Sequence, residues 1–341
     1  MFLTSFQKKV LANLKEKIKT GMYRFENVAC LCGSCNVHLI ANTDRYGLQV
    51  SIVICSDCGL VRMNPRLDAA SLEMFYRQEY RDLYMGPEYG NMDNYLQGMV
   101  ARGETMVSLI DLHAPGLHWK TAKVLEVGCS VGGNLVPFLR RGAMVRGYDY
   151  DARYLDYGKK VFPDLDLRIG GVDDLVSDKG RYDLIIFNHV LEHLADPRKA
   201  FQLAAHCLSQ KGIMYVSVPG LRNPEFYFSP TKSILGGFHI AHLYYFTALT
   251  LRHVTAGFEP LYVDESVRSL MRRSVNGNTY SFVHNPEECN STIAYIRRYE
   301  SQVISRYYLA GALVIKSWLA RVASAFSKLI KYVARGTLCL Y

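Results

Sequence analysis

Cys32-Gly-Ser-Cys35 and Cys55-Ser-Asp-Cys58 place four thiols as two Cys-x-x-Cys pairs, the spacing with which two knuckles close on tetrahedral zinc. Four sulfurs leave the metal no open position, so the chemistry expected of it is folding. Cys30 is a further thiol nearby, which replaces Cys32 if the register differs. Asn36 and Gly59, one after each pair, are expected in the left-handed conformation that turns knuckle amides toward sulfur. Thiol redox chemistry, which needs only one reactive pair, is the weaker alternative.

A second constellation is Glu126-Val-Gly128-Cys-Ser-Val-Gly132, after an apolar run and before a helical one, with Asp149 ending the next apolar run. A pyrophosphate needs Gly-x-Gly-x-x-Gly at a helix N-terminus, and Glu126 would repel it. No Gly-Lys-Ser/Thr is present to cradle a triphosphate. S-adenosylmethionine (SAM) fits, because it carries an ammonium and a sulfonium and no phosphate. Asp149 is placed to accept hydrogen bonds from both ribose hydroxyls. Transfer to a hydroxyl also needs a proton acceptor, and imidazole is the side chain most readily neutral and basic near pH 7. His193, His239 and His242 are the catalytic candidates; His189 and Glu192 share their segments. A metal held by these histidines and Glu192 is a weaker reading.

These residues must be positioned by several elements. Residues 1–22 read as an amphipathic helix with Phe2, Phe6, Val10, Leu14 and Ile18 on one side. Residues 23–65 form the zinc-ribbon-like module and 66–120 a helical connector or cap. From 121 to 265 apolar strand-like runs alternate with helical ones, which means a parallel sheet covered on both faces. A further cap occupies 266–300, and 301–341 is a basic amphipathic helix, best defined over 316–335. It is interrupted by charge too often to span a bilayer; packing on protein and lying on an anionic membrane surface stay open. Net charge is +9, yet the two ends together carry ten net positive charges, so the middle is near neutral. That argues against a nucleic-acid partner. Nine cysteines without a secretion signal suit a reducing, cytoplasmic setting, with peripheral contact at the inner membrane face as an option.

The run from Glu126 to Gly132 resembles the first motif of class I SAM-dependent methyltransferases, with Ser130 at the middle glycine of the usual Glu/Asp-x-Gly-x-Gly-x-Gly. Asp149 matches the second motif. Gly170–Leu175 resembles the segment after the third strand, where the resemblance puts Asp173 beside the adenine amino group. Tyr182–Pro197, with Asn188 on the cofactor side, is similar to the fourth-strand signature, and Leu208–Pro219 and His242–Pro260 to the segments that follow. The resemblance covers about 140 residues in order and implies a doubly wound, Rossmann-like, seven-stranded methyltransferase sheet, here with a small N-terminal zinc ribbon and terminal amphipathic helices. Cys55–Tyr80 resembles the junction in methyltransferases with an N-terminal zinc-binding segment, many of them linked to surface-polysaccharide or nucleotide-sugar tailoring. That implies structural Zn²⁺, bound SAM, and methyl transfer to a hydroxyl or carbon of a sugar, nucleotide-sugar or glycan. The alternatives are a ribosomal RNA methyltransferase with a zinc ribbon and a non-catalytic assembly protein on the same fold. Oligomeric state is open.

Overall fold

A computed structural model describes residues 3–86, 91–178, 180–223, 233–274 and 284–306. The chain divides into two compact units, Met1–Ile293 and Ala294–Tyr341. Of the second, residues 294–306 are described and helical; the basic segment 316–335 lies outside the described residues.

In chain order the first unit begins with α1 (Ser5–Lys19), β1 (Phe25–Glu26), β2 (Val37–Thr43), β3 (Gln49–Cys55), β4 (Val61–Met63) and β5 (Arg66–Leu67). Then come α2 (Ala69–Gln78), α3 (Tyr80–Met85), α4 (Met92–His113), β6 (Lys123–Val127), α5 (Val136–Arg140), β7 (Met144–Asp149), α6 (Ala152–Val161) and β8 (Asp166–Ile169). It closes with β9 (Tyr182–Asn188), α7 (Pro197–Cys207), β10 (Leu208–Ser217), β11 (Tyr244–Tyr245), β12 (Phe258–Val263) and β13 (Arg268–Arg273).

The large sheet has seven strands in the order β12-β13-β10-β9-β6-β7-β8. Its centre is parallel, as the alternation of apolar runs and helices requires. The β12 and β13 strands are antiparallel, because only four residues join them and a parallel return needs a long crossover. That turn is fixed by Asp264, whose carboxylate accepts from the Arg268 amide at 3.0 Å and the Ser266 hydroxyl at 2.7 Å. The sheet therefore continues past residue 265, into the segment expected to be a cap.

Both faces are covered. Val124, Leu184, Ile186 and Tyr215 join one core cluster with Leu96, Met106 and Ile110 of α4 and Tyr154 of α6. The intervening Leu125, Ile185, Phe187 and Val216 are just as buried on the opposite face, which is why these strands read as unbroken apolar runs.

A four-stranded antiparallel sheet, β11-β4-β3-β2, carries the cysteine segment. Its fourth strand comes from far along the chain: Tyr244 pairs with Arg62 and Tyr245 with Val61. The cysteine module is thereby continuous with the histidine-bearing segment just before β11.

Helix α1 forms, but its buried stripe is Gln7, Leu11 and Leu14, while Phe6 is exposed. Gln7 explains the rotation: its side chain completes a capping box with Thr4 and donates to the Leu83 carbonyl at 3.0 Å.

Candidate functional site

The cysteine cluster differs from the expected set by one member. The sulfurs of Cys30, Cys32, Cys55 and Cys58 lie within 4.8 Å of one another, whereas Cys35 is exposed and outside the group. Cys30 Sγ is 3.6 Å from Cys58 Sγ and Cys32 Sγ is 3.5 Å from Cys55 Sγ. A tetrahedron with zinc–sulfur bonds near 2.3 Å has edges of about 3.8 Å, so these four residues fit a tetrathiolate metal. The reason lies in the backbone. Gly33 donates to the Cys30 carbonyl at 2.7 Å and Cys30 to the Ser34 carbonyl at 2.8 Å, so the tight turn spans 30–34 and leaves Cys35 beyond it. Gly33, not Asn36, takes the left-handed conformation there; the Asn36 carbonyl instead accepts from Ser56 at 3.0 Å. Gly59 is left-handed as expected, and a Cβ on it would lie 2.8 Å from the Glu288 backbone carbon.

The turn after β6 begins with Gly128 at φ 75°, where an added Cβ would strike Val190 Cγ2 at 2.5 Å. Ser130 also lies in the left-handed region, at φ 51°, where a glycine is the ordinary occupant. Its amide donates to Asp149 Oδ2 at 2.9 Å, and its hydroxyl lies 3.3 Å from that of Tyr95. The other Asp149 oxygen accepts from the Asp151 amide at 2.9 Å and pairs with Arg81 at 3.5 Å. Arg81, from α3, rests on the Tyr154 ring at 4.2 Å from its centroid.

Glu126 is wholly buried. One oxygen accepts from Asn134 Nδ2 at 2.6 Å, and Oε2 has no protein donor. Burial pushes its carboxyl from the ordinary 4.5 up to about 8, against the pull of the Asn134 hydrogen bond. An orphaned carboxylate oxygen behind a tight turn, with an acid on the next strand, suits a ligand bearing an ammonium and ribose hydroxyls. Asp173 stands apart: it is exposed and pairs with Lys199 at 3.5 Å, and its neighbour Asp174 is the one that folds back to accept from Gly171 at 2.7 Å. Asn188 is buried at the end of β9, beside the strand that leads into the turn.

The histidines gather just past Asn188. His193 Nδ1 is 2.9 Å from the Ala241 carbonyl oxygen and 2.8 Å from the Tyr76 hydroxyl. His242 packs edge-on against His193, with centroids 4.7 Å apart. His239 lies 3.8 Å from His242 by centroids but is fully enclosed, its amide donating to the Tyr245 hydroxyl. Glu192, 1% exposed, is approached by His189 at 3.4 Å, His193 at 3.9 Å and His242 at 4.0 Å. The two segments are tied by the Leu243 amide, which donates to the Glu192 carbonyl at 2.8 Å. Burial lowers the imidazole pKa of His193 and brings His239 and His242 well below 6.5, so all three are neutral at pH 7.

Sequence reasoning overlooked the roof of this cluster. Tyr76, Tyr80 and Tyr84 repeat every four residues, a spacing that puts them on one helical face. Tyr80 meets Tyr76 at 4.9 Å, Tyr84 at 5.7 Å and His193 at 5.7 Å between centroids. Consecutive residues of α3 thus touch both halves of the site: Tyr80 the imidazoles, Arg81 the acid on β7.

Residues 102–262 match the family described as Methyltransferase domain (Methyltransf_23). A ubiquinone biosynthesis O-methyltransferase of Bartonella quintana is 32% identical over 103 residues, 29% of this chain and 42% of that protein. A probable S-adenosylmethionine-dependent methyltransferase of Mycolicibacterium smegmatis is 31% identical over 139 residues, 40% of this chain and 51% of that protein. The chain thus spans about half the length of the curated relatives it matches. Among solved structures, a SAM-bound amino pentose methyltransferase from Micromonospora echinaspora aligns with a TM-score of 0.32 at 19% identity, covering 37% of this chain and 54% of that one. The segment 102–262 thus matches a methyltransferase domain, and the relatives it aligns with include a probable S-adenosylmethionine-dependent methyltransferase. No helix among the described residues is long and apolar enough to cross a membrane.

Proposed function

We propose that this chain transfers a methyl group from SAM to a hydroxyl, or an activated carbon, of a sugar in nucleotide-sugar or surface-polysaccharide synthesis. The observation that carries the reading is the continuity of α3, where Tyr80 lies against His193 and Arg81 against Asp149. It joins a cofactor acid to a set of neutral imidazoles under a roof of tyrosines. Aromatic faces of this kind suit a sugar ring, and the resemblance of Cys55–Tyr80 to sugar-tailoring methyltransferases agrees with it.

The cofactor supplies an electrophilic methyl group on a sulfonium. Asp149 holds the ribose, with Arg81 yielding part of its carboxylate, and the turn at Gly128–Gly132 together with Glu126 orients the methionine end. His193 Nε2 would accept the hydroxyl proton as the methyl group passes from the sulfonium to the oxygen. The neutral side product is S-adenosylhomocysteine. Cys30, Cys32, Cys55 and Cys58 would hold zinc as a structural metal with no part in the transfer.

A second reading, a phenolic acceptor, is favoured by the ubiquinone O-methyltransferases among the relatives. One assay decides: purified protein with SAM and either nucleotide-linked sugars or catechol-type phenols, with S-adenosylhomocysteine release as the readout. Turnover with sugars alone supports the first reading; turnover with phenols alone replaces it with the second.

A further inference from the structure

We propose that Glu192, His193 and His242 form a divalent-cation site on the acceptor side of the methyltransferase domain. Three features converge on it. The ligand atoms of these residues lie within 4.8 Å of one another. Glu192 is 1% exposed and neither of its carboxylate oxygens has a hydrogen-bond donor. Its ion-pair distances, all to imidazoles, are too long for hydrogen bonds to His193 at 3.9 Å and His242 at 4.0 Å. A buried carboxylate without a donor is costly, and it persists where a cation compensates it.

The tautomer of His193 points the same way. The Ala241 carbonyl can only accept, at 2.9 Å from Nδ1, and the Tyr76 hydroxyl donates to the same carbonyl at 3.0 Å, which together place the proton on Nδ1. The lone pair then sits on Nε2, which faces Glu192 Oε1. Two lone-pair donors thus face each other with no hydrogen between them. A histidine whose outer nitrogen is held by a carbonyl while the inner one points at a carboxylate is how protein metal ligands are oriented. Metal–nitrogen and metal–oxygen bonds near 2.0–2.2 Å give ligand edges of about 3–3.5 Å, so closure asks for an inward shift of about half an ångström. Two imidazoles and one carboxylate select manganese, iron, cobalt or zinc over magnesium and calcium. His189 Nδ1, 3.4 Å from Glu192 Oε1 with its side chain 37% exposed, supplies the entry and a further donor.

With a cation in place His193 Nε2 would be a ligand and not the base; the cation would lower the proton affinity of a coordinated acceptor hydroxyl, whose proton would leave to solvent past the partly exposed His189. The binding claim itself needs no acceptor, so it stands or falls apart from the methyl-transfer reading. The test is titration of Mn²⁺ into the full chain with its cysteine-bound metal retained, followed by the spin-resonance signal of free manganese. One site per chain is expected, weakened at least tenfold in Glu192→Gln and in His242→Asn. Should either variant misfold, Co²⁺ added to the unaltered chain decides: ligand-field bands without thiolate charge transfer support the site. No stoichiometric Mn²⁺ binding, binding unchanged in both folded variants, or cobalt bands only of the thiolate type would overturn it.

Discussion

The Arg81 guanidinium lies 3.5 Å from the Asp149 carboxylate, so a helix outside the methyltransferase sheet reaches the acid that ends its second strand. Asp149 also anchors the Ser130 and Asp151 amides, so the proposed ribose acceptor is at the same time a structural keystone of the turn. Asp149→Ala removes hydrogen bonds to a charged group worth about 1.5–3 kcal/mol each. SAM affinity measured by calorimetry is therefore expected to fall at least tenfold, and an unchanged dissociation constant would contradict this placement.

Cys30 and Cys35 separate two metal sets. Cys30→Ser should lower bound zinc and the melting temperature together, while Cys35→Ser should leave both at parental values. Metal content by mass spectrometry beside a thermal melt reads the difference; zinc loss in the Cys35 variant would restore the Cys32/Cys35 pairing.

Glu126 makes stability depend on pH. Its folded value, about 8, lies above the ordinary 4.5, so between those limits the folded chain binds more protons than the unfolded one. The stabilisation is therefore complete below about 4.5 and is lost as pH rises toward about 8. Glu126→Gln keeps an acceptor for Asn134 and carries no charge. Without SAM it should flatten the melting-temperature profile over this window and raise the value at its alkaline end. Identical profiles for the two proteins would show that Glu126 is ionised throughout.

His193 is expected to act on turnover and not on cofactor binding. His193→Asn should reduce kcat by about a hundredfold or more with SAM affinity unchanged. The acid limb of the parental rate profile should lie below the ordinary histidine value of 6.5, because burial favours the neutral ring. A variant with parental kcat would remove His193 from the reaction.

How much of this was legible depends on the kind of signal. Buried parallel strands such as Tyr182–Asn188 announce themselves as apolar runs, and the Gly128–Gly132 turn by spacing. Strand Arg268–Arg273 does not: its three arginines hide Ser269, Leu270 and Met271, which are buried in an antiparallel strand between β10 and β12. Ser130 reads as an ordinary substitution because no composition reveals φ; only the fold shows its left-handed backbone. The choice of Cys30 over Cys35 turns on hydrogen bonds within residues 30–34, which a four-cysteine count cannot register. Asp173 and Asp174 are equivalent in sequence and both exposed, and the turn decides which of them accepts the Gly171 amide. The tyrosine face of α2 and α3 was readable from its four-residue repeat, but its partner, the imidazole cluster, is more than a hundred residues away.

The pairing of Tyr244–Tyr245 with Val61–Arg62 joins the cysteine module to the segment that carries His242. His242 stands two residues before the strand that the cysteine module holds in place. If the four cysteines hold zinc and the domain binds SAM as proposed, chains assembled in a cell short of zinc would keep the Gly128–Gly132 turn and lose the support for the histidine segment, taking up the methyl donor without passing it on. On that reading the proposed methyl transfer would track metal supply, and the small sheet would serve as the point where scarcity is felt.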